Sequence, residues 1–262
     1  KFYKVINDID LGGEANPWTP IGQLYYKNSF SGVFDGGGHH IYNLYYNIPS
    51  DPEDKHRSVG FFGAVDNAEI FNLRLSGDIT AGGGSLHIYY GGLVGSCRTM
   101  SIHDNIINVN LTTANFASTY NDVGGIVGYC DGEILDASIR NCIYTGKLTV
   151  KESNSSVREV EAIIVGGIIA QTNHSIEIKD TIFAGTIDKD VSAITSKDYT
   201  GTIIGRVCVN GAVATLTNTY VNTTAYSDTM LIESGCNIEG APTPKTTAEL
   251  QSIDFVKNFS DP

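Results

Sequence analysis

The sequence predicts an all-β solenoid, a parallel β-helix, and three observations predict it. First, a glycine motif, Asp122-Val123-Gly124-Gly125-Ile126-Val127-Gly128, recurs at Ser58–Gly63, Gly91–Gly95, Gly166–Ala170 and Gly201–Gly205. Its last position falls at Gly63, Gly95, Gly128, Ala170 and Gly205, which by subtraction gives steps of 32, 33, 42 and 35 residues. Second, a triplet of apolar residue, spacer and Asn or Asp recurs at Ile41-Tyr42-Asn43, Ile70-Phe71-Asn72, Ile102-His103-Asp104, Ile139-Arg140-Asn141, Ile178-Lys179-Asp180 and Leu216-Thr217-Asn218. Third, stretches of variable length always fall between the strand after the triplet and the next glycine motif, over residues 48–58, 79–90, 112–122, 149–161 and 188–199. Short fixed signals at uneven spacing mark stacked repeats with insertions between them.

Taken in order, residues 1–47 form an N-terminal β cap. Tyr3 to Leu11 alternates apolar and polar residues as a half-buried strand does, and Gly12-Gly13 turns the chain. The glycines after Asp35 demand a tight turn between strands. Residues 48–220 carry the repeat coils. In each, the Asn or Asp turn leads to an alternating strand such as Ile143 to Leu148, then an insertion, then the glycine motif. Matching strands of neighbouring coils stack about 4.8 Å apart, so inward Ile, Leu and Val make a continuous core and the Asn/Asp column bonds successive turns. The insertions then emerge along one flank, the side on which solenoids often bind. Ala170 and Thr202 replace motif glycines and predict a distorted coil there. Residues 221–262 form the exit segment, with a short helical cap at Thr246 to Gln251 and with Phe255, Val256 and Phe259 folded over the last coil. The whole reads as one domain with irregular coils.

Composition narrows the function. The chain has 262 residues, 29 of them glycine, and only 18% are charged, which suits a turn-rich β protein. A net charge of -12 argues against nucleic acid and against anionic lipid, and favours a soluble monomeric domain. No stretch approaches the length of a membrane span. The chain opens on strand-like Lys1 to Ile6 rather than on a targeting segment, which predicts a mature form or an excised domain. Five cysteines lack Cys-x-x-Cys spacing, so zinc is not expected. Cys97 and Cys130 each follow a glycine motif and are expected close together across coils, as small buried thiols in preference to a disulfide.

The Val-Gly-Gly-apolar-apolar-Gly motif resembles the GLUG repeat of bacterial surface proteins, found in adhesins and in the amino-terminal regions of immunoglobulin A1 protease-like proteins. Asn7 to Leu11, Trp18 to Gly22 and Phe30 to Gly36 look like the start of such regions, and Lys245 to Leu250 resembles the segment after them. The resemblance covers about residues 3–220 and implies a right-handed parallel β-helix displayed outside a bacterial cell. It implies no ligand. Catalysis in the protease relatives belongs to a separate zinc domain with a His-Glu-x-x-His motif, which is absent from this sequence.

Candidate chemistry is sparse. Asp104 and Asp180 share a register with Asn141 between them, near the upper carboxyl separation of an inverting hydrolase, but amides hold the same register elsewhere and favour a structural ladder. Asp35, His39 and His40 resemble an acid-base or metal cluster, yet adjacent strand residues face opposite ways and Asp35 suits a turn. Asp8, Asp10, Glu14 and Asn16 offer oxygen ligands without the calcium-loop spacing. No metal and no cofactor is expected. The candidate binding residues are Tyr89, Tyr90, Phe116 and Tyr120, placed on adjacent insertions, where rings with polar tips suit glycan or protein contact. The expected function is a non-enzymatic, adhesin-like, secreted or cell-surface module presenting aligned loops to host glycan or protein. The alternatives are a polysaccharide hydrolase or lyase, and a passive stalk for a missing domain.

Overall fold

The computed structural model describes residues 1–22, 28–48, 56–82, 87–114, 120–131, 137–151, 162–190, 197–208, 211–223 and 237–252. Its strands form sheets of twelve, ten and five strands, and the pairings are parallel throughout the described residues. The fold is a parallel β-solenoid, as the repeats predict, of about five turns.

One turn shows how the coils are built. Tyr120–Gly124 lies in the five-stranded sheet, Val127–Cys130 in one arm of the twelve-stranded sheet and Ala137–Arg140 in its other arm. Ile143–Tyr144 and Lys147–Lys151 then lie in the ten-stranded sheet, and Ala162–Gly166 returns to pair in register with Tyr120–Gly124. The two arms meet in the long strand Phe62–Phe71 of an early coil, bent at Asn67 with φ +52°. Alternation places every second residue inside. Ile70, Ile102, Ile139, Ile178 and Leu216 form one buried column at successive registers of the second arm.

Two kinds of bend close each turn. At the glycine motif the five-stranded sheet folds back on the first arm, and the two backbones touch. A Cβ on Gly124 would lie 1.8 Å from the Val127 carbonyl oxygen, and one on Gly128 would lie 2.8 Å from the Tyr90 backbone. Glycine is required there by space. Pairing nevertheless runs unbroken past Ala170 and Thr202, so the expected distortion does not occur. The Ala170 methyl joins Ala162 and Ile164 in a small apolar cluster between the two sheets.

At the other bend, Asn72, Asp104, Asn141, Asp180 and Asn218 all adopt left-handed φ between +49° and +58°. That conformation costs most side chains about 1–2 kcal/mol, and Asn and Asp tolerate it best. Asn141 Nδ2 donates to Asp104 Oδ1, and Asn218 Nδ2 donates to Asp180 Oδ1 at 3.0 Å, so this column is the structural ladder expected of it. Asn43 shares the torsion, with φ +58°, but not the place. Phe34 and Asp35 pair with Ile70 and Phe71, while Ile41 pairs with Leu75, so Asn43 sits at an irregularity in the next strand along. Its amide donates to Asp10 Oδ1 at 2.8 Å instead.

The ends differ from each other. Phe2–Lys4 and Ile9–Asp10 pair with Phe30–Asp35 and His40–Ile48, so the N-terminal segment extends the same ladders. Trp18 stacks on Phe61 at 4.7 Å and donates its indole N–H to the Phe61 carbonyl at 3.0 Å. At the other end Asn237–Glu239 and Thr243–Lys245 each add a strand. The helix Thr247–Leu250 follows, capped reciprocally by Thr246 and Glu249. Phe255, Val256 and Phe259 lie outside the described residues.

Candidate functional site

The insertions do leave the solenoid along one line. The chain departs at Ile48, Gly82, Ala114, Lys151 and Asp190 and returns at His56, His87, Tyr120, Ala162 and Lys197, which open strands stacked in register. The tyrosines assigned to that flank are placed otherwise. Tyr89 and Tyr90 belong to the strand His87–Gly91. Tyr90 points into the core, 1% exposed, its hydroxyl without a hydrogen-bond partner and its phenol pKa pushed up by burial. Tyr89 faces the other way but is covered by the first arm, stacked on Tyr129 at 4.4 Å between ring centroids. Alternation puts one ring of the pair inside, and the fold-back at the glycine motif buries the other. Neither is available to a ligand. Tyr120 opens the strand Tyr120–Gly124, and Phe116 lies outside the described residues.

The suspected metal clusters are held by their own backbone. Asp35 is buried, accepts from the Gly37 N–H at 2.8 Å and meets Lys4 Nζ at 3.2 Å, and the Gly37 bond leads in holding its carboxyl below the usual range. His39 turns to Asp8 at 3.3 Å, while His40 Nε2 meets Ser76 Oγ at 2.8 Å. Asp10 accepts from the Gly12 N–H, Asn16 donates to the Leu11 carbonyl, and Glu14 sits in the short helical turn Gly13–Ala15. Cys97 and Cys130 are register partners on adjacent coils, both buried and free, and burial pushes the Cys97 thiol well up.

What the structure assembles lies on a different face, outside the second arm. Ser101, Ser138, Glu177, Thr215 and Glu239 are successive partners in that sheet, alternating outward from the buried isoleucine column. At about 4.8 Å per coil they run for about 19 Å along the solenoid. They line an open groove of about 690 Å³, with Arg140 on one side and Ala137, Ile176 and Val213 at its apolar edge. Glu177, Glu239 and Arg140 are exposed, and none of them has an ion-pair partner among the described residues. Their charges are free for a ligand.

Toward the first coils the same face is closed by a rigid cluster. His103 Nδ1 meets Asp104 at 2.7 Å and Nε2 meets Glu69 at 3.2 Å, and its ring stacks on Phe71 at 5.0 Å with only 9° between planes. Rings stacked from coil to coil lie across the solenoid axis, so they show their edges outward. The cluster makes a wall rather than a stacking platform.

The groove residues escaped the sequence reading, although a signal existed. Ser101, Ser138, Glu177 and Thr215 each stand immediately before the apolar residue of the triplet, as Ser138 stands before Ile139, and strict alternation makes that position outward. Glu239 carries no such signal, because its strand lies beyond the recognisable repeats.

No family model and no curated protein matches the chain. A crystal structure from Bacteroides ovatus, of a protein provisionally described as an immunoglobulin A1 protease, is similar over 95% of this chain and 78% of that chain, with a TM-score of 0.53 and 18% identity. The likeness is one of fold. It supports the solenoid drawn from the glycine motif and carries no activity with it. Among the described residues no helix is long and apolar enough to cross a membrane.

Proposed function

We propose that this chain is a non-enzymatic, adhesin-like module of an exported bacterial protein, and that it binds an extended glycan along the outer groove of the second arm. The observation that carries this reading is the aligned column from Ser101 to Glu239 beside a groove of about 690 Å³. Hydroxyls and charged groups at a constant spacing, next to an apolar edge, complement a chain that repeats polar groups along one side. The solenoid supplies rigidity: every coil is fixed to its neighbours, so the column is organised before a ligand arrives and little ordering entropy opposes binding.

The test is a panel of immobilised glycans and matrix proteins probed with the wild type and with Ser138→Trp, which fills the groove from an outward position. The expected result is a glycan hit weakened at least tenfold by the substitution, with an unchanged unfolding midpoint. A panel without hits, or a hit that Ser138→Trp leaves intact, overturns the reading.

One observation favours a second reading. Glu177 and Glu239 are separated by Thr215 alone, two coil steps or about 9.6 Å, close to the upper separation of an inverting glycosidase. Release of reducing ends from a bound glycan, abolished by Glu177→Gln, would establish hydrolysis.

A further inference from the structure

Resting on the glycan-binding reading, we propose that the groove selects amine-bearing sugars, with Glu177 and Glu239 as its anionic anchors, and rejects polyanionic chains. The inference comes from the balance of charge on this face. Within the groove two exposed carboxylates stand against the single guanidinium of Arg140. Beside it, Asp104 and Asp180 add carboxylates on the turn column and Glu69 extends the column of the groove itself, while Lys179 adds one cation. The face is therefore net acidic, on a chain whose formal charge is already -12. A uronate or sulfated polymer lying there would bring like charges against Glu177 and Glu239, and the field of the whole molecule would oppose its approach.

The spacing adds selectivity to the sign of the charge. Glu177 and Glu239 flank Thr215, so two carboxylates stand about 9.6 Å apart with a hydroxyl between them. A chain carrying ammonium groups on sugars at comparable intervals can place one on each carboxylate while its hydroxyls meet Thr215 and Ser138. An N-acetylated chain of the same backbone keeps the hydroxyl contacts and loses both ion pairs. Exposed ion pairs are individually weak, so each carboxylate is expected to change affinity by no more than about fivefold.

The experiment titrates the intact chain with soluble glucosamine oligomers, their N-acetylated counterparts and a polyuronate, at low and at high salt. The expected result is tightest binding to the glucosamine oligomer, weakened by salt and by Glu177→Gln or Glu239→Gln about fivefold each. N-acetylated oligomers should bind more weakly and ignore both substitutions. If acetylated and free-amine oligomers bind alike, or if polyuronate binds best, the charge selection is wrong while the groove reading stands. If no oligomer of any kind binds, the groove reading itself fails and takes this inference with it.

Discussion

The two bends that close each coil repeat with equal regularity but for different physical reasons. At the glycine motif the limit is distance: two backbones approach so closely that a single Cβ on Gly124 would overlap the Val127 carbonyl. At the Asn/Asp turn the limit is torsion: φ near +50° is needed, there is room for a side chain, and the side chain is used to bond the neighbouring coil. A position limited by space rejects any added atom, whereas one limited by torsion grades its substitutes by their left-handed propensity.

That contrast can be broken by substitution, most strongly at the glycine bend. Gly124→Ala should cost about 3 kcal/mol or more in urea unfolding, because the new methyl meets backbone on two sides, the Val127 oxygen and the Ala170 nitrogen. At the other bend, Asn141→Ala should cost about 1–2 kcal/mol through the left-handed torsion and the lost bond to Asp104. Asn141→Gly should recover about 1 kcal/mol of that, since glycine pays nothing for the torsion. Equal costs for alanine and glycine there would show that the hydrogen bond, not the torsion, governs the turn.

A weaker effect sharpens the account of the space between the two sheets at the glycine bend. Asp122 is buried there, its Oδ1 has no hydrogen-bond partner, and burial raises its pKa well above 3.8, with Arg206 opposing. The unfolded chain therefore releases this proton near pH 3.8 while the folded chain keeps it to higher pH. The Asp122 contribution to stability consequently falls as pH rises from the unfolded value through the raised one. Asp122→Asn should remove that decline, so its midpoint should gain on the wild type steadily between pH 4 and pH 7. A constant difference across that range would contradict the assignment. The smallest change is expected for Tyr90→Phe, which removes a buried hydroxyl that has no partner and should alter stability by no more than about 1 kcal/mol, without loss. The same variant should bind any glycan ligand as the wild type does.

The coils were legible in the sequence because both bends impose residue types that cannot be hidden. Glycine spacing located the fold-back, and all six Asn/Asp triplets marked a left-handed residue, though only five of them lie at the bend that closes a coil. Asn43 misled because Ile41-Tyr42-Asn43 is locally indistinguishable from Ile70-Phe71-Asn72, and only the long-range pairing of Phe34 with Ile70 separates them. The buried Asn105, which accepts from the Leu73 N–H at 3.0 Å and donates to the Ile70 carbonyl at 3.0 Å, was equally invisible, since its partners belong to another coil. The candidate site was misread for a related reason. Tyr89 and Tyr90 were given to a loop because nothing local marks where the strand begins, and the groove residues look ordinary until five coils align them.

Carboxylate footprinting of the glycan-bound chain, by carbodiimide labelling and mass spectrometry, tests most directly which face binds. Protection of Glu177 and Glu239, with the exposed Asp188 near the foot of the insertions labelled as in the free chain, is the predicted result. Protection at Asp188 with Glu177 and Glu239 still fully labelled would contradict it, and would return the binding site to the loops.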